Sequence, residues 1–592
     1  MFKLLKHMKT KDWLFASFAI VFIVAQVWLD LKLPDYMNTI TQIAQGKGAA
    51  DKDEGLSEIW KNGGYMLACA LASMICSIVT SFFVVNIAAD FSARLRETLY
   101  RKVQRFSMAE INKFSTASLI TRSTNDVQQV QMLITMGLQM MIKAPITAVW
   151  AICKIAGKQW QWSAAVGVAV VVLIGGIGII LSFVMDKFKK IQKLTDDLNQ
   201  STRENLTGIR VIRAYNAEGF QQEKFEKVND TFTNTNFYIG KRMSILSPLM
   251  SLVLNGISLA IYWIGAIIIN DALTSGDMMR VGGLFGDMVV FMAYGMQIII
   301  SFMMLAMMFM IAPRSFVAAN RINEVLDTDE IIHEGNGVSD TKEQGTIEFR
   351  NVSFCYPDGQ DEVLTDISFR AEKGQTIAFI GSTGCGKSTI VNLVSRFYDA
   401  TKGEVLVDGY NVKEYKKKEL ASKIGYVSQK AMLFSGDIRS NVNFGDNNAD
   451  DEKVKKAIEI AQSTDFVAAQ QDGIFGHVAQ NGSNFSGGQK QRLSIARAVA
   501  REAEIYIFDD TFSALDYKTD RALRTAIKNE MKDCTCLIVA QRIGTIIEAD
   551  QIFVLDNGCI VGHGTHKELL ENCSAYQEIA ESQLSEEELK NA

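Results

Sequence analysis

The stretch "GSTGCGKST", residues 381–389, follows the apolar run "TIAFI" and leads into the helix-like run "TIVNLVSRF". A strand, a glycine-rich turn ending in Lys-Ser and a helix, in that order, make up the phosphate-loop pattern Gly-x-x-x-x-Gly-Lys-Ser. The backbone N–H groups of such a loop point at phosphate oxygens, and the helix start adds positive potential. The pattern predicts the following nucleotide-binding residues: Gly381, Ser382, Thr383, Gly384, Cys385, Gly386, Lys387, Ser388 and Thr389.

Two residues of this phosphate loop have more specific predicted roles. Lys387 is expected to reach the β- and γ-phosphates, and the hydroxyl of Ser388 is expected to ligate Mg²⁺. A further apolar run, "IYIFDD", ends in Asp509 and Asp510. An acid at the end of a strand, in the same domain as a phosphate loop, is typical of the group that holds the Mg²⁺ shell. Asp509 is therefore predicted to be a metal ligand together with Ser388.

The region around the phosphate loop has the pattern of a soluble α/β domain. Its short strand-like runs are "TIEFRNVSFCY", "VLTDISF", "TIAFIG" and "IYIFDD", and helical segments separate them. This alternation predicts an α/β nucleotide-binding domain with a parallel central sheet over residues 346–585, followed by a tail at 586–592.

The first half of the chain is much more apolar than the second. A helix that crosses a membrane needs roughly 20 mostly apolar residues, and six runs approach or exceed that length. They predict an all-α, six-helix transmembrane domain over residues 1–325, embedded in a lipid bilayer, and a polar linker at 326–345. The runs are residues 13–29, 65–89, 132–157, 159–185, 243–270 and 288–312.

The basic residues predict the orientation of these spans. They cluster before the first span, after the second and after the fourth, whereas the other connections carry fewer of them. Since basic loops stay in the cytoplasm, both termini and the α/β domain are expected there. The run after the basic N-terminus lacks a cleavage site. These features predict a multi-pass protein of a bacterial inner (plasma) membrane. The net charge of −5 gives no indication of nucleic-acid binding.

The segment "NFSGGQKQR", residues 484–492, resembles the signature of the ATP-binding-cassette (ABC) family, Leu-Ser-Gly-Gly-Gln. Phe485 stands in place of the Leu. The resemblance implies that this signature segment binds the γ-phosphate of an ATP molecule held by the other nucleotide-binding domain of a dimer. The residues that match are Ser486, Gly487, Gly488 and Gln489.

Three further positions match the same family. Tyr356, which precedes the phosphate loop, matches the aromatic residue that stacks on adenine, although it could be an ordinary strand residue. Gln429 matches the glutamine that contacts Mg²⁺ and water, and Asp516 matches the acid that links the two sites across the dimer. The resemblance implies ATP and Mg²⁺ as cofactors. It also implies a half-transporter of the exporter type that works as a dimer.

The sequence departs from the family at positions that carry the chemistry. Asp510 stands where the family has a Glu that polarises the attacking water, and Gln541 stands where it has a His. A displacement of about 1 Å can cost on the order of 10²-fold in rate. Residues 479–481 also differ from the family's Gly-Glu-Arg. We expect Asp510, Gln541 and Gln429 to form a slow catalytic group. We also expect the partner to be a second half-transporter that has the missing Glu and His.

The membrane half gives less information about the substrate. Five methionines of the sixth span share one helical face, which suits either an apolar substrate pocket or ordinary packing. They are Met292, Met296, Met303, Met307 and Met310. Asp287 and Lys143 are ionisable residues at or near membrane depth, which favours function or an interfacial position. We predict multidrug-like export of hydrophobic or amphiphilic small molecules. The alternatives are a lipid or peptide exporter and an ATP-gated channel or regulatory subunit.

Overall fold

The computed structural model describes residues 3–45, 52–156, 158–275, 278–338, 341, 343–444 and 450–584. Contacts divide the chain into two units. Unit 1 comprises Met1–Lys102 and Ala117–Thr328, and unit 2 comprises Val103–Thr116 and Asp329–Ala592. The predicted domain limits at residues 325 and 345 stay predictions, and the predicted tail at 586–592 lies outside the described residues.

Long helices dominate the first 326 residues. A 3₁₀ turn, Leu4–His7, precedes them, and a π-helical turn, Arg122–Asp126, joins the fourth to the fifth. The helices are α1 (Thr10–Ala44), α2 (Lys52–Arg105), α3 (Met108–Phe114), α4 (Thr116–Thr121), α5 (Val127–Ile155), α6 (Trp160–Thr207), α7 (Ile209–Ala214), α8 (Glu218–Met243), α9 (Leu246–Thr274) and α10 (Met278–Leu326).

Six helical segments are long and apolar enough to cross a membrane within the part of the chain that the structure describes. They are Thr10–Ala44, Gly55–Arg105, Thr116–Ile155, Trp160–Lys187, Glu218–Thr274 and Arg280–Leu326. The predicted six-helix transmembrane domain is confirmed. Several segments continue well beyond the roughly 20 residues that a bilayer requires; Glu218–Thr274, for example, has 57 residues.

Aromatic residues join four helices in the core of unit 1. Trp162 of α6 is fully buried, donates from Nε1 to the carbonyl of Ile261 in α9 at 3.1 Å, and packs on Phe291 of α10 with ring centroids 5.1 Å apart. The hydroxyl of the buried Tyr294 donates to the carbonyl of Leu31 in α1 at 2.7 Å. A buried Trp or Tyr needs a partner for its polar atom, so these bonds fix how the helices pack.

Lys143 and Asp287, which the sequence singles out, each have a partner of opposite charge. They belong to a set of three ion pairs, two between α1 and α5 and one between Lys158, just before α6, and α10. They are Lys143–Asp30 at 3.5 Å, Lys154–Asp35 at 2.7 Å and Lys158–Asp287 at 2.9 Å. A charge in an apolar environment is costly unless it is paired. The pairing favours a role in helix packing for these residues.

Unit 2 is built on two main sheets. The strands are β1 (Ile347–Phe354), β2 (Leu364–Ala371), β3 (Thr376–Gly381), β4 (Lys402–Val407), β5 (Tyr410–Asn411), β6 (Ile424–Val427), β7 (Gly436–Asp437), β8 (His477–Val478), β9 (Ile505–Asp509), β10 (Thr535–Val539), β11 (Gln551–Asp556) and β12 (Cys559–Gly564). One sheet has the order β12-β11-β3-β10-β9-β6, and the other has the order β2-β1-β4-β5.

Helices connect and cover these strands. They are α11 (Lys387–Val394), α12 (Lys417–Lys423), α13 (Ile438–Val442), α14 (Asp451–Ile460), α15 (Thr464–Ala468), α16 (Gly487–Val499), α17 (Tyr517–Glu530), α18 (His566–Asn572) and α19 (Ser574–Gln583). The predicted α/β domain is confirmed. Its longer sheet is parallel from β11 to β6, and β12 is antiparallel to β11.

Two strand-like runs of the sequence lie outside the parallel sheet. "TIEFRNVSFCY" contains β1 and "VLTDISF" contains most of β2, and these strands pair antiparallel to each other, with Phe349 opposite Phe369. Their rings stack with centroids 4.6 Å apart. Local sequence shows that a run is extended, but long-range pairing decides which sheet it joins.

The short helix α3 belongs to unit 2, although it lies between segments of unit 1 in the chain. Ser107 caps it, and Oε1 of Glu110 accepts a hydrogen bond from the backbone N–H of Ile331 at 2.6 Å. Asn112 donates from its side chain to the hydroxyl of Tyr398 at 3.2 Å. These contacts hold residues 103–116 against the segment after α10 and against the nucleotide-binding fold.

Candidate nucleotide-binding site

The phosphate loop leaves β3 and enters α11, as the sequence predicts. Gly386 precedes α11 with a φ of 99°, and a Cβ there would lie 2.6 Å from a side-chain carbon of Leu364. A Cβ on Gly381 would lie 2.1 Å from the carbonyl oxygen of Leu555. Both positions therefore require glycine, because any side chain would displace the loop from the strand edge.

The two polar side chains that end the loop point in different directions. Lys387 is buried and donates from Nζ to the carbonyls of Gly381 and Ser382, at 2.9 and 2.7 Å. Its ammonium group therefore lies inside the curve of the loop. The hydroxyl of Ser388 donates to Oδ1 of Asp509 at 2.8 Å, which joins the two predicted metal ligands directly.

Four neighbouring parallel strands bring the remaining predicted groups together. Gln429 follows β6, Asp509 ends β9, Gln541 follows β10 and the phosphate loop follows β3. These strands are adjacent in the order β3-β10-β9-β6. Because the carboxyl ends of parallel strands meet at one edge of a sheet, segments far apart in sequence meet there.

Asp510 is held by two glutamine amides. Its Oδ2 accepts hydrogen bonds from Nε2 of Gln541 at 2.8 Å and from Nε2 of Gln429 at 3.1 Å. Its backbone lies in the left-handed region, with a φ of 46°, and its N–H donates to the carbonyl of Val539 at 3.0 Å. The side chain is buried. The three predicted catalytic residues therefore form one hydrogen-bonded group.

The pKa of the Asp509 carboxyl is raised above its ordinary value. Burial is the main cause that raises the pKa of Asp509, and the charge of Asp510 adds to it. Hydrogen bonds from Ser388 and Tyr426, together with the charge of Lys387, oppose this rise. Burial also raises the pKa of Tyr426. A carboxylate that is costly to keep charged is a site where a cation is favourable.

The oxygen donors at this edge fit Mg²⁺. Mg²⁺ prefers hard oxygen ligands and is commonly bound through one or two carboxylates, with waters and phosphates completing its shell. The hydroxyl of Ser388, the carboxylate of Asp509 and the amide oxygen of Gln429 are ligands of this kind. The hydrogen bond between Ser388 and Asp509 shows that two of them can act at one point.

Tyr356 lies beside the start of α11. Its hydroxyl is 3.0 Å from Oγ1 of Thr389, and its ring meets that of Tyr398 edge-on, with centroids 5.1 Å apart. Phe354 contacts Tyr356 edge-on from another side, at 4.8 Å. This position next to the phosphate loop favours the predicted role in base stacking over that of an ordinary strand aromatic.

The signature segment begins α16. Ser486 is its N-cap: the hydroxyl accepts from the N–H of Gln489, and Oε1 of Gln489 accepts from the N–H of Ser486 at 2.9 Å. This capping box fixes the first turn. A Cβ on Gly487 would meet no atom within 4 Å, so the backbone is open at that position.

Phe485, the departure within the signature, is buried. Its ring lies edge-on to that of Phe466, with centroids 6.2 Å apart, in the apolar cluster beneath α16. The substitution of Phe for Leu therefore changes packing inside the unit. Ser486 and Gln489 still form their capping box beside it.

Asp516, predicted to act across a dimer, is the N-cap of α17. Its carboxylate accepts from the N–H of Thr519 at 3.0 Å, and hydrogen bonds from Thr519 lower the pKa of Asp516. The carbonyl of Ala514, in the turn just before it, would lie 3.4 Å from a Cβ on Gly488. The turn that precedes Asp516 therefore lies beside the signature segment.

The chain matches the family description "ABC transporter transmembrane region" over residues 16–302 and "ABC transporter" over residues 364–513. An "Uncharacterized ABC transporter ATP-binding protein" of Mycobacterium tuberculosis (strain ATCC 25618 / H37Rv) is 36% identical over 553 residues, which cover 93% of both chains. The chain belongs to the ABC transporter family. It is a membrane-spanning half-transporter with an ATPase domain that binds ATP and couples its hydrolysis to transport.

Other ABC transporters share the same arrangement. An "Uncharacterized ABC transporter ATP-binding protein" of Bacillus subtilis (strain 168) is 33% identical over 97% of both chains. An "ATP-dependent lipid A-core flippase" of Pseudomonas fluorescens (strain Pf0-1) is 30% identical over 85% of this chain and 82% of its own. A solved bacterial Atm1-family ABC exporter with ATP bound has a TM-score of 0.77 at 21% identity, with 96% and 98% of the two chains covered. It shows the same fold.

Three residues of this ABC transporter's site are apparent only in the structure. Tyr426 donates to Asp509, Tyr398 packs on Tyr356, and Gln583 donates to the loop that carries Gln541. Tyr426 lies in the strand that precedes Gln429, which is a weak sequence signal. Tyr398 and Gln583 lie in segments without a motif, so only the folded chain places them here.

The methionine face of the sixth span is uneven in exposure. Met292 is partly buried against the core of unit 1, Met303 is half-buried, and Met307 is exposed. Met296 is at the margin of exposure, and the side chain of Met310 lies outside the described residues. This pattern is compatible with both predicted roles, a substrate surface and helix packing.

Proposed function

We propose that this chain is one half of a heterodimeric ABC exporter and that its own ATP site hydrolyses slowly. The observation that supports this is the state of Asp510. Its side chain is one methylene shorter than the family's Glu, and one of its carboxylate oxygens accepts two amide hydrogen bonds. A general base has to lie within hydrogen-bond reach of the water that it activates, either directly or through one further water.

Gln541 adds to this limitation. Its amide can donate a hydrogen bond to a phosphate oxygen, but it brings no positive charge and no titratable proton. Charged donors form markedly stronger hydrogen bonds than neutral ones. A site with Asp510 and Gln541 would therefore bind ATP through the phosphate loop but stabilise the hydrolytic transition state poorly.

The binding residues have distinct tasks. The loop amides and Lys387 hold the phosphates, Tyr356 supports the base, and Ser388 with Asp509 and Gln429 would hold Mg²⁺. A bound Mg²⁺ would offset phosphate charge and position the triphosphate. Asp510 would orient a water molecule. Its fixed, short side chain makes this step the slow one.

The signature segment supports the choice of a heterodimer. Ser486, Gly487, Gly488 and Gln489 retain the family pattern, and the capping box presents them at the surface. They can complete a site whose phosphate loop and base belong to another chain. A homodimer would contain two sites limited by Asp510, whereas a partner with Glu and His would give one fast site.

Transport direction, membrane and substrate form the remainder of the proposal. The basic loops favour cytoplasmic termini in a bacterial inner membrane. The apolar spans and their methionines suit hydrophobic or amphiphilic cargo of the multidrug type. Similarity to the "ATP-dependent lipid A-core flippase" of Pseudomonas fluorescens (strain Pf0-1) favours lipid-like amphiphiles as the alternative cargo.

The experiment is to replace Asp510→Glu and Gln541→His together and to measure ATP hydrolysis by the purified complex. We expect the rate of hydrolysis at this chain's site to increase about tenfold or more. The longer Glu side chain restores the reach of the base, and His restores a side chain that can carry a positive charge. The matched control is Asp472→Glu with Gln471→His, because both residues are exposed and lie outside the site. An unchanged rate in the first variant would contradict the slow-site proposal.

Subunit composition tests the heterodimer separately. Intact mass of the complex purified from its native membrane should show this chain and a second half-transporter in equal amounts. A complex of two copies of this chain would contradict that part of the proposal. Asp510 would then have to serve as the base at both sites.

A further inference from the structure

The C-terminal helix α19 reaches the loop that carries Gln541. This loop, residues 540–542, joins β10 to the 3₁₀ turn Ile543–Thr545. Gln583, the last residue of α19, donates from Nε2 to the carbonyl of Gln541 at 2.8 Å. Its Oε1 accepts from the N–H of Ile543 at 2.9 Å. One side chain thus satisfies a backbone acceptor and a backbone donor on either side of Arg542.

Helix α19 is firmly held in unit 2. Tyr576 and Ala580 are fully buried in its apolar cluster, and the hydroxyl of Tyr576 lies 2.7 Å from Nδ1 of the buried His566. Ile543 is fully buried in the same cluster. The helix and the turn therefore share one core, and Gln583 adds a polar connection at its edge.

The connection continues to the catalytic group. The side chain of Gln541 donates to Oδ2 of Asp510 at 2.8 Å. Gln583 does not touch Asp510 itself; it holds the backbone from which Gln541 extends. The order of contacts is α19, Gln583, the backbone around Gln541, the side chain of Gln541 and Asp510.

We propose that Gln583 is a positioning residue for hydrolysis, which acts by fixing the loop of Gln541. An exposed glutamine at a helix end ordinarily has little effect on activity. The two bonds of Gln583 restrict the rotation of the loop, so the residue at 541 is preset to reach Asp510 and the γ-phosphate. Preset geometry lowers the barrier because it removes reorganisation from the chemical step. The inference rests on the proposed role of Gln541 at this site.

Gln577 provides a matched control on the same helix. It is also a glutamine that donates to a backbone carbonyl, that of Leu570, at 2.5 Å. Gln577→Ala therefore removes a comparable bond, but one that stays within the C-terminal helices. Gln583→Glu is an intermediate variant, because it keeps the acceptor for Ile543 and loses the donor to Gln541.

The first measurement is amide hydrogen exchange of residues 541–545 in the full chain. We expect about tenfold faster exchange at Ile543 in Gln583→Ala and no change in Gln577→Ala, since local opening follows the bonds that hold the loop. The same rate in Gln583→Ala and the natural chain would overturn the proposal. So would equal acceleration in both variants, because the effect would then come from the helix as a whole.

The second measurement is ATP hydrolysis in the Asp510→Glu background, where this chain's own site should contribute most. The bonds of Gln583 are to backbone atoms, so they persist there. We expect Gln583→Ala to lower kcat about three- to tenfold with KM changed less than twofold. The kcat of Gln583→Glu should lie between that of Gln583→Ala and that of the Asp510→Glu parent. In a chain that already carries Gln541→Ala, Gln583→Ala should cause no further loss of kcat, because the effects of residues that act through one another are not additive.

The outcomes separate the two proposals. If neither Asp510→Glu nor its combination with Gln541→His raises hydrolysis, the slow-site proposal is contradicted, and the exchange measurement then decides whether Gln583 holds the loop of Gln541. If hydrolysis rises but the losses from Gln583→Ala and Gln541→Ala are additive, the positioning role of Gln583 is overturned and the slow site stands.

Discussion

Unit 2 has two segments that are predicted to bind phosphate, and in both of them glycines stand at the start of a helix. The phosphate loop precedes α11, and the signature segment precedes α16. They differ in what surrounds them. The first is surrounded by side chains from the ends of three other strands, and the departures at Asp510 and Gln541 are among these side chains. The second depends on its own capping box, and its departure, Phe485, is buried.

This difference supports the proposal that the chain hydrolyses ATP slowly at its own site but still completes the site of its partner. Phosphate binding by amides survives changes in the side chains around it, because the backbone supplies the donors. Hydrolysis does not survive them as well, because it needs a base and charged donors at fixed distances. A chain can therefore keep both binding surfaces and still become slow at its own site.

The largest effect should come from Ser486→Ala. It removes a hydroxyl from the surface proposed to complete the partner's site, so hydrolysis by the complex should fall about 100-fold, a loss typical of one transition-state donor. Lys387→Ala, at this chain's own site, should reduce the complex's rate much less. Steady-state ATP hydrolysis of the two variants checks this. The reverse order would show that the fast site is built on this chain's phosphate loop.

Lys387→Ala should have its main effect on binding. Loss of a charged donor to phosphate is expected to weaken ATP affinity at this chain's site by about 10–100-fold. Ser486→Ala should leave that affinity within about twofold, since the signature is proposed to contact the nucleotide of another chain. Equilibrium binding of ATP to the purified full chain distinguishes the two surfaces. Equal weakening in both variants would mean that they serve a single site.

A smaller effect is expected from Tyr398→Phe. The hydroxyl of Tyr398 accepts from Asn112, and its ring supports Tyr356. Loss of one neutral hydrogen bond should weaken ATP binding about two- to fivefold, and Asn112→Ala should match it. Tyr517→Phe is the control, because Tyr517 is 75% exposed on α17. If Tyr356→Ala weakens binding and Tyr398→Phe does not, the hydrogen bond between Asn112 and Tyr398 is unnecessary for ATP binding.

Asp509→Asn should give a modest gain in stability. Because burial raises the pKa of Asp509 in the folded chain, its charged form opposes folding above that pKa. Asparagine keeps an oxygen that accepts from Ser388. We expect thermal unfolding of unit 2 to shift upward by about 2–4 °C at neutral pH. The gain should shrink as pH falls, since the native carboxyl then binds its proton. A gain independent of pH would exclude this electrostatic cause.

The sequence by itself determined the architecture and most of the site. Six long apolar runs predict six membrane-crossing helices, because a bilayer requires about 20 apolar residues per helix. The glycines, Lys387 and Ser388 predict a phosphate loop, because the chemistry of that loop is local in sequence. The departures at Asp510 and Gln541 can be seen in the sequence for the same reason.

Only the tertiary structure decided how these groups combine. Gln429 and Gln541 meet on one oxygen of Asp510 because β6, β9 and β10 are neighbours in a parallel sheet, which no local pattern specifies. Residues 103–116 join unit 2 through Glu110 and Asn112, and Gln583 reaches the loop of Gln541 from the end of the chain. Contacts between segments so distant in sequence depend on packing of the whole fold. Sequence motifs therefore identify the functional residues, and tertiary packing determines their geometry.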